Sequence, residues 1–182
     1  MMHQRRPTFW GITLKTIVAH TITYFAVGLA AFTIFDYTAR FADPALSQLM
    51  RQTNHPLVMA GPLVQPIRGL LFGIVFYLLR ASLFRNRDGW FRMWIMLVFV
   101  GIFSTFGPAP GSIEGFIYTT LPVTGQLAGL SEVLLQSLLL SIVTYAWVTS
   151  SGRVWLNWVL GIIFFVVLLL PGLGLLLGQT TF

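Results

Sequence analysis

The chain has 182 residues, of which 56% are hydrophobic and only 9% are charged. About a quarter of the residues in soluble globular domains are charged, so this composition excludes that class and indicates an all-α, polytopic membrane protein. The net charge of +6 comes from basic residues beside the apolar segments. This placement predicts contact with anionic lipid headgroups and no binding of nucleic acid.

The sequence lacks the common motifs of enzyme and cofactor sites. It contains no cysteine, which excludes disulfides, thiolate metal ligands and cysteine nucleophiles. It also contains no Walker A loop, dinucleotide-binding glycine motif, His-Glu-x-x-His motif or Gly-x-Ser-x-Gly elbow. We therefore predict no metal site, no cofactor and no assigned catalytic residue.

Apolar segments recur along the whole chain and predict a single integral membrane domain, residues 1–182, with about five transmembrane helices. The first segment is long enough to cross the membrane, and no cleavable signal pattern precedes it, so we expect it to remain in the mature chain. The third has only fourteen residues, about 21 Å of helix, so we expect it to end below the outer surface. The predicted spans are 12–35, 63–84, 93–106, 130–148 and 155–177.

The loops predict the orientation. Basic residues lie before the first span, between the second and third, and between the fourth and fifth, so the N-terminus is expected in the cytoplasm and the C-terminus outside. The tryptophans lie near the same ends, as expected for an interfacial aromatic belt. The chain is typical of small multispanning proteins of the bacterial cytoplasmic (inner) membrane. The six tryptophans are Trp10, Trp90, Trp94, Trp147, Trp155 and Trp158.

The first outer connection, between residues 36 and 61, predicts a short interfacial helix. Asp43 suits an N-cap, Pro44 suits the first helical position, and apolar residues then recur at helical spacing. Such a helix either covers the bundle or forms a lid over a site.

Two nine-residue segments, 61–69 and 107–115, share a Gly/Pro-rich pattern with four identities, and Arg68 in one corresponds to Glu114 in the other. Either chance similarity or an internal repeat explains the shared pattern. Only eleven residues separate Arg68 from Arg80, about 17 Å of helix against a hydrocarbon layer of roughly 30 Å. We therefore expect Arg68 to lie in the apolar zone, with Glu114 or Glu132 as its counter-charge.

The second Gly/Pro segment is predicted to break the third span. The residues that follow, up to 121, are too few to cross the membrane and too apolar for an ordinary loop, so a re-entrant or interfacial half-helix is expected near 107–121. Ser112 suits its N-cap, and Glu114 in its first turn suits the helix dipole.

Polar residues gather at the predicted outer side and form the candidate binding or gating set. Glu132 and Gln136 share a face of the fourth span, and the others precede or belong to the first Gly/Pro segment or, for Glu114, belong to the second. A structural alternative is a neutralising ion pair at Arg68 surrounded by solvated loop residues. The set is Arg51, Asn54, His55, Gln65, Arg68, Glu114, Glu132 and Gln136.

Small and hydroxylated residues predict helix-packing seams, either within or between protomers. Gly69 with Gly73 and Gly174 with Gly178 form small-xxx-small pairs. The first span has a polar, small face that includes His20, which we expect to be a hydrogen-bonded packing histidine rather than a proton relay.

Three functions are compatible with these patterns. The first is transport or permeation of a small solute or ion through an outer-half polar site built on Gly/Pro-broken helices. The second is a structural or accessory subunit of a larger membrane complex. The third is a membrane-embedded enzyme that acts on lipid headgroups, with Glu114, Glu132 and His55 as acid/base candidates. Expected partners are membrane lipids and either further copies of the chain, as a homo-oligomer, or a larger complex.

Overall fold

The computed structural model describes residues 8–48, 50–150 and 152–178. This part of the chain is helical and contains no strand, which confirms the predicted all-α class. The helices are α1 Phe9–Ile34, α2 Tyr37–Ala42, α3 Pro44–Ser47, α4 Pro56–Met59, α5 Gly61–Leu78, α6 Arg80–Phe84, α7 Gly89–Val98, α8 Ile113–Tyr118, α9 Val123–Thr149 and α10 Val154–Gly178.

Within these described residues, four helices are long and apolar enough to cross a membrane: α1, α5, α9 and α10. They correspond to four of the five predicted spans. The third predicted span is a shorter apolar helix, α7, which continues as a π-helical turn over Phe99–Phe103. The predicted second span divides at Leu79 into α5 and α6, and α9 begins seven residues earlier than predicted.

The first Gly/Pro segment is not the predicted break, because α5 begins at Gly61 and continues through Pro66. Pro62 lies in the first turn, where a missing N–H costs nothing, and Pro66 removes a single intrahelical hydrogen bond. The second segment does interrupt the helix: residues 104–112 are non-helical before α8. Ser112 caps α8 by accepting a hydrogen bond from the Gly115 N–H at 2.9 Å, as predicted.

The predicted interfacial helix is two short helices, α2 and α3. Asp36 caps α2 through a side-chain oxygen that accepts from the Ala39 N–H at 3.2 Å. The second helix, α3, begins at Pro44, the position expected for a proline at a helix start.

The glycines of α5 set how it packs on α1. A Cβ added to Gly69 would lie 2.6 Å from Ile17 Cα, and one added to Gly73 would lie 2.8 Å from Thr13 Cα, so the two backbones are in direct contact. Because α5 is antiparallel to α1, a further step of four residues on α5 brings Gln65 opposite His20. The glycine seam thus fixes the register that pairs these polar side chains.

Helix α9 packs on the other side of α1, also antiparallel to it. The Lys15 ammonium donates to the Trp147 carbonyl at 2.9 Å near one end of the bundle, and Tyr145 Oη donates to the Asn86 carbonyl at 2.8 Å at the same end. Trp94 contacts α9 further from this end of the bundle. Its indole N–H donates to the Leu134 carbonyl at 3.3 Å, fifteen residues before α9 ends.

Helix α10 packs only lightly on the bundle, since only 6% of its most apolar stretch of residues is buried. Near the C-terminal end of α10, a Cβ added to Gly174 would lie 3.8 Å from Met59 Cε. Within the described chain Gly174 thus faces a side chain, and a packing seam between protomers at Gly174 and Gly178 stays a prediction.

Candidate functional site

His20, near the middle of α1, connects three helices through hydrogen bonds. Its Nε2 lies 3.1 Å from Gln65 Oε1 on α5, and its Nδ1 lies 3.1 Å from Gln136 Nε2 on α9. The residue is completely buried, and the ring of Phe72 packs edge-on against the imidazole at 5.0 Å between centroids. The predicted hydrogen-bonded packing role is confirmed, with two glutamines of the candidate set as partners.

The neighbouring hydrogen bonds assign one tautomer to His20. Gln65 Nε2 donates to the Gly61 carbonyl at 3.1 Å, so Gln65 presents its acceptor oxygen to the imidazole. His20 Nε2 therefore carries a proton, and the unprotonated Nδ1 accepts from Gln136. Every polar atom of the imidazole has a partner, and the ring is neutral.

A polar seam extends from this histidine along the buried interface of α1 and α9. Most of its hydroxyls donate to a carbonyl one turn earlier in their own helix, as Thr16 does to Ile12 and Ser141 does to Ser137. Two buried hydroxyl oxygens in the described part of the chain, Thr13 Oγ1 and Thr144 Oγ1, have no hydrogen-bond partner. The seam is thus polar over several helical turns. Towards its Lys15 end it contains hydroxyl groups that have no hydrogen-bond partner among the described residues.

A cavity of about 350 Å³ lies beside the histidine, between α5, α7 with its π-helical turn, and α9; we call it the Arg68 cavity. Its polar lining residues are Arg68, Gln136 and Ser137. Gly101 and Ile102 of the π-helical turn form part of an otherwise apolar wall. Such turns within α-helices occur frequently at functional sites. Gln136 belongs both to this wall and to the His20 hydrogen bonds.

Arg68 forms neither of the predicted ion pairs. In the part of the chain that the structure describes, the salt bridge is Arg92–Asp88, 2.8 Å apart on the exposed start of α7. Tyr24 lies within electrostatic range of both Arg68 and Glu132. The guanidinium is therefore a cavity-lining charge without a carboxylate at salt-bridge distance.

Glu132 instead binds helix α2. Tyr37 Oη donates to Glu132 Oε2, and the Arg40 guanidinium lies within electrostatic range of the same carboxylate. Arg40 itself packs over the rings of Phe35 and Tyr37, 5.9 Å from each centroid. Burial, followed by the bond to Glu132, raises the pKa of Tyr37, so the phenol remains a donor at neutral pH.

The loop residues of the candidate set are spread apart. His55 caps α4, because its Nδ1 accepts from the Leu57 N–H at 3.2 Å. Asn54 is exposed, and Arg51 is exposed on the wall of a second cavity that also includes Glu132. The predicted set is thus divided: Arg68 and Gln136 line the Arg68 cavity, Arg51 and Glu132 line the second cavity, and the other four residues line neither.

The second Gly/Pro segment is held by Gln126, which sequence reasoning missed. This fully buried side chain accepts from the Gly111 N–H at 2.6 Å and donates to the Gly115 carbonyl at 3.0 Å and to Thr119 Oγ1 at 2.9 Å. The sequence signal for Gln126 is an amide side chain among apolar and small residues, shortly after the second Gly/Pro segment. Glu114 is half-buried in the first turn of α8 and does not line the Arg68 cavity.

Within the described ranges, no group of three or more His, Asp and Glu side chains is placed to hold a metal ion. Comparison of the chain with protein-family models, with curated proteins and with solved structures finds no significant match. The chain is a helical membrane protein, and any more specific function has to be argued from the chemistry of its own residues.

Proposed function

We propose that this protein transports, or allows permeation of, a small anion and that the Arg68 cavity is its binding site. The observation that supports the proposal is that Arg68, which has no carboxylate at salt-bridge distance among the described residues, lines a cavity of about 350 Å³ between apolar helices. Charged side chains among transmembrane segments are costly and commonly belong to ion or substrate paths.

An anion would complete the electrostatics of this cavity. Arg68 supplies the positive charge and up to five N–H donors, while Gln136 and Ser137 supply neutral polar groups beside it. Since a water molecule takes about 30 Å³ of liquid volume, the cavity has room for an anion of a few atoms with part of its hydration shell.

In this proposal the anion moves along the polar seam between α1 and α9. From the cavity, Gln136 and Ser137 lead to Ser141 and then to Thr144, one of the two buried hydroxyls without a partner. In this proposal the structure is closed on that side, and opening requires α9 to separate from α1. The N-terminus is cytoplasmic, the cavity lies in the outer half, and the membrane is the bacterial inner membrane.

Anion flux in proteoliposomes tests the proposal. Vesicles that contain the purified protein are loaded with chloride, nitrate or phosphate, and efflux is followed with anion-selective electrodes. We expect efflux of at least one of these anions, loss of it in Arg68→Gln and partial retention in Arg68→Lys.

The matched control is Arg80→Gln. Arg80 begins α6 and packs over the Tyr77 ring, 4.2 Å from its centroid, outside the Arg68 cavity. It should leave efflux unchanged. Equal efflux from wild type and a folded Arg68→Gln protein, or no efflux of any of the three anions from wild type, would refute the proposal.

A second candidate function is an accessory subunit that docks through α10. The supporting observation is that α10 is apolar apart from Asn157 near its start, yet only 6% of its most apolar stretch is buried. Ile162, Phe165 and Leu169 share one exposed face and are more than half exposed. A photo-crosslinking residue at position 165 should capture one discrete partner, either another chain or a second copy. Capture of lipid alone would count against docking.

A further inference from the structure

A second large concave surface, distinct from the Arg68 cavity, is a cleft at the predicted outer end of the bundle, which we call the outer cleft. It has a volume of about 620 Å³, within the usual range for ligand pockets. The C-terminal half of α1, helix α2 and the start of α5 form its walls. It shares no lining residue with the Arg68 cavity.

Most of the lining is aromatic or aliphatic. Tyr24, Phe25 and Phe32 contribute rings from α1, and Tyr37 and Phe41 contribute rings from α2. The apolar surface continues beyond the cleft, because Phe25, Phe32, Tyr37 and Phe41 also line a neighbouring cavity of about 370 Å³ that reaches Leu170 and Gly174 on α10. A ligand that fills this surface needs a long apolar body.

Two opposite charges lie in the same lining. Arg51 is exposed on the loop before α4, and Glu132 belongs to α9. Tyr37 occupies Glu132 Oε2, while Oε1 accepts no hydrogen bond from the described residues. Arg40 packs over Phe35 and Tyr37 and does not line the cleft, so the lining itself carries one positive and one negative group. Neither a purely anionic nor a purely cationic amphiphile satisfies both of these groups.

We infer that the outer cleft binds a zwitterionic phospholipid, phosphatidylethanolamine, with the phosphate at Arg51 and the ammonium at Glu132. The ethanolamine ammonium has three N–H donors for the free carboxylate oxygen, which a choline group lacks. The acyl chains lie along the phenylalanines towards α10. This site is independent of the anion path proposed above.

Gly28 is a position at which a larger side chain would fill the outer cleft without a steric clash. It lies in α1 on the cleft wall, and an added Cβ would meet nothing within 4 Å. Leucine at this position would occupy cleft volume and would also favour the helix. Gly101 is the matched control, since an added Cβ there also meets nothing within 4 Å but the residue lines the Arg68 cavity.

Native mass spectrometry of the purified full chain, titrated with phosphatidylethanolamine, phosphatidylcholine or phosphatidylglycerol, tests the inference. We expect one tightly retained phosphatidylethanolamine, with at least tenfold weaker retention of the other two lipids. Gly28→Leu should weaken retention at least tenfold, and Gly101→Leu should leave it unchanged.

The charge variants test the assigned headgroup contacts. Glu132→Gln should reverse the preference towards phosphatidylglycerol, and Arg51→Gln should weaken both lipids about equally. Because Arg51 is exposed on a loop, its variant remains informative even if Gly28→Leu does not fold. Equal retention of the three lipids by wild type, or unchanged retention in both Gly28→Leu and Arg51→Gln, would overturn the inference. Because this assay does not measure anion flux, the lipid site and the proposed anion path can be refuted independently of each other.

Discussion

Replacement of Gly69 by alanine tests the contact that sets the register of α5 on α1. The new Cβ would lie 2.6 Å from Ile17 Cα, whereas carbon atoms in contact lie about 3.5–4.0 Å apart, so the helices must separate by about 1 Å. The clashing atom belongs to the backbone and cannot move away by a change of rotamer. We therefore assign the upper end of the overpacking cost, about 3 kcal/mol.

Gly28→Ala is the matched control, because it makes the same chemical change within a helix but meets nothing within 4 Å. Helix propensity stabilises both variants by about 1 kcal/mol and cancels in their comparison. In reversible unfolding with sodium dodecyl sulfate in mixed micelles, Gly69→Ala should be less stable than Gly28→Ala by about 3 kcal/mol. Equal stability of the two variants would refute the proposed backbone contact.

Other contacts give three further predictions. Gln65→Leu leaves the His20 Nε2–H buried without an acceptor, so it should lower the free energy of unfolding by about 1–3 kcal/mol. In a His20→Phe background, where this N–H is absent, the same substitution should lower it far less. Tyr37→Phe removes the bond to the half-buried Glu132 carboxylate and should increase amide hydrogen exchange in α2 but not in α8; unchanged exchange in α2 would contradict it. The hydrogen bond from Arg92 lowers the pKa of Asp88, so this pair stabilises above the ordinary aspartate pKa and is lost as pH falls through the lowered value. Arg92→Gln should raise the Asp88 pKa measured by carboxyl ¹³C shifts.

The sequence predicted the helices well because long apolar runs have few other stable forms in a membrane. Helix ends were less predictable. The first Gly/Pro segment was expected to belong to a broken helix, yet α5 begins at Gly61 and continues through Pro66, because one lost hydrogen bond is tolerated there. The start of α9 was placed too late, since Gly125 and Gly129 lower helix propensity, whereas Gln126 ties this first turn to the 111–119 segment.

The candidate site was harder to predict because it depends on the register between helices. Gln65, Arg68 and Gln136 were identified as polar residues of the outer half, but their assembly around His20 follows from the fit of the α5 glycines against the α1 backbone. The expected ion pair failed for a related reason. Glu132 faces α2, and its partner Tyr37 lies 95 positions away along the chain.

Anion efflux with the Arg68 cavity filled tests the central claim most directly. Gly101→Leu places a side chain in this cavity without altering any charge, and Gly161→Leu makes the same change on α10, where an added Cβ also meets nothing within 4 Å. We predict that Gly101→Leu abolishes anion efflux from proteoliposomes while Gly161→Leu matches wild type. Wild-type efflux from a folded Gly101→Leu protein would contradict the assignment of the cavity as the anion site.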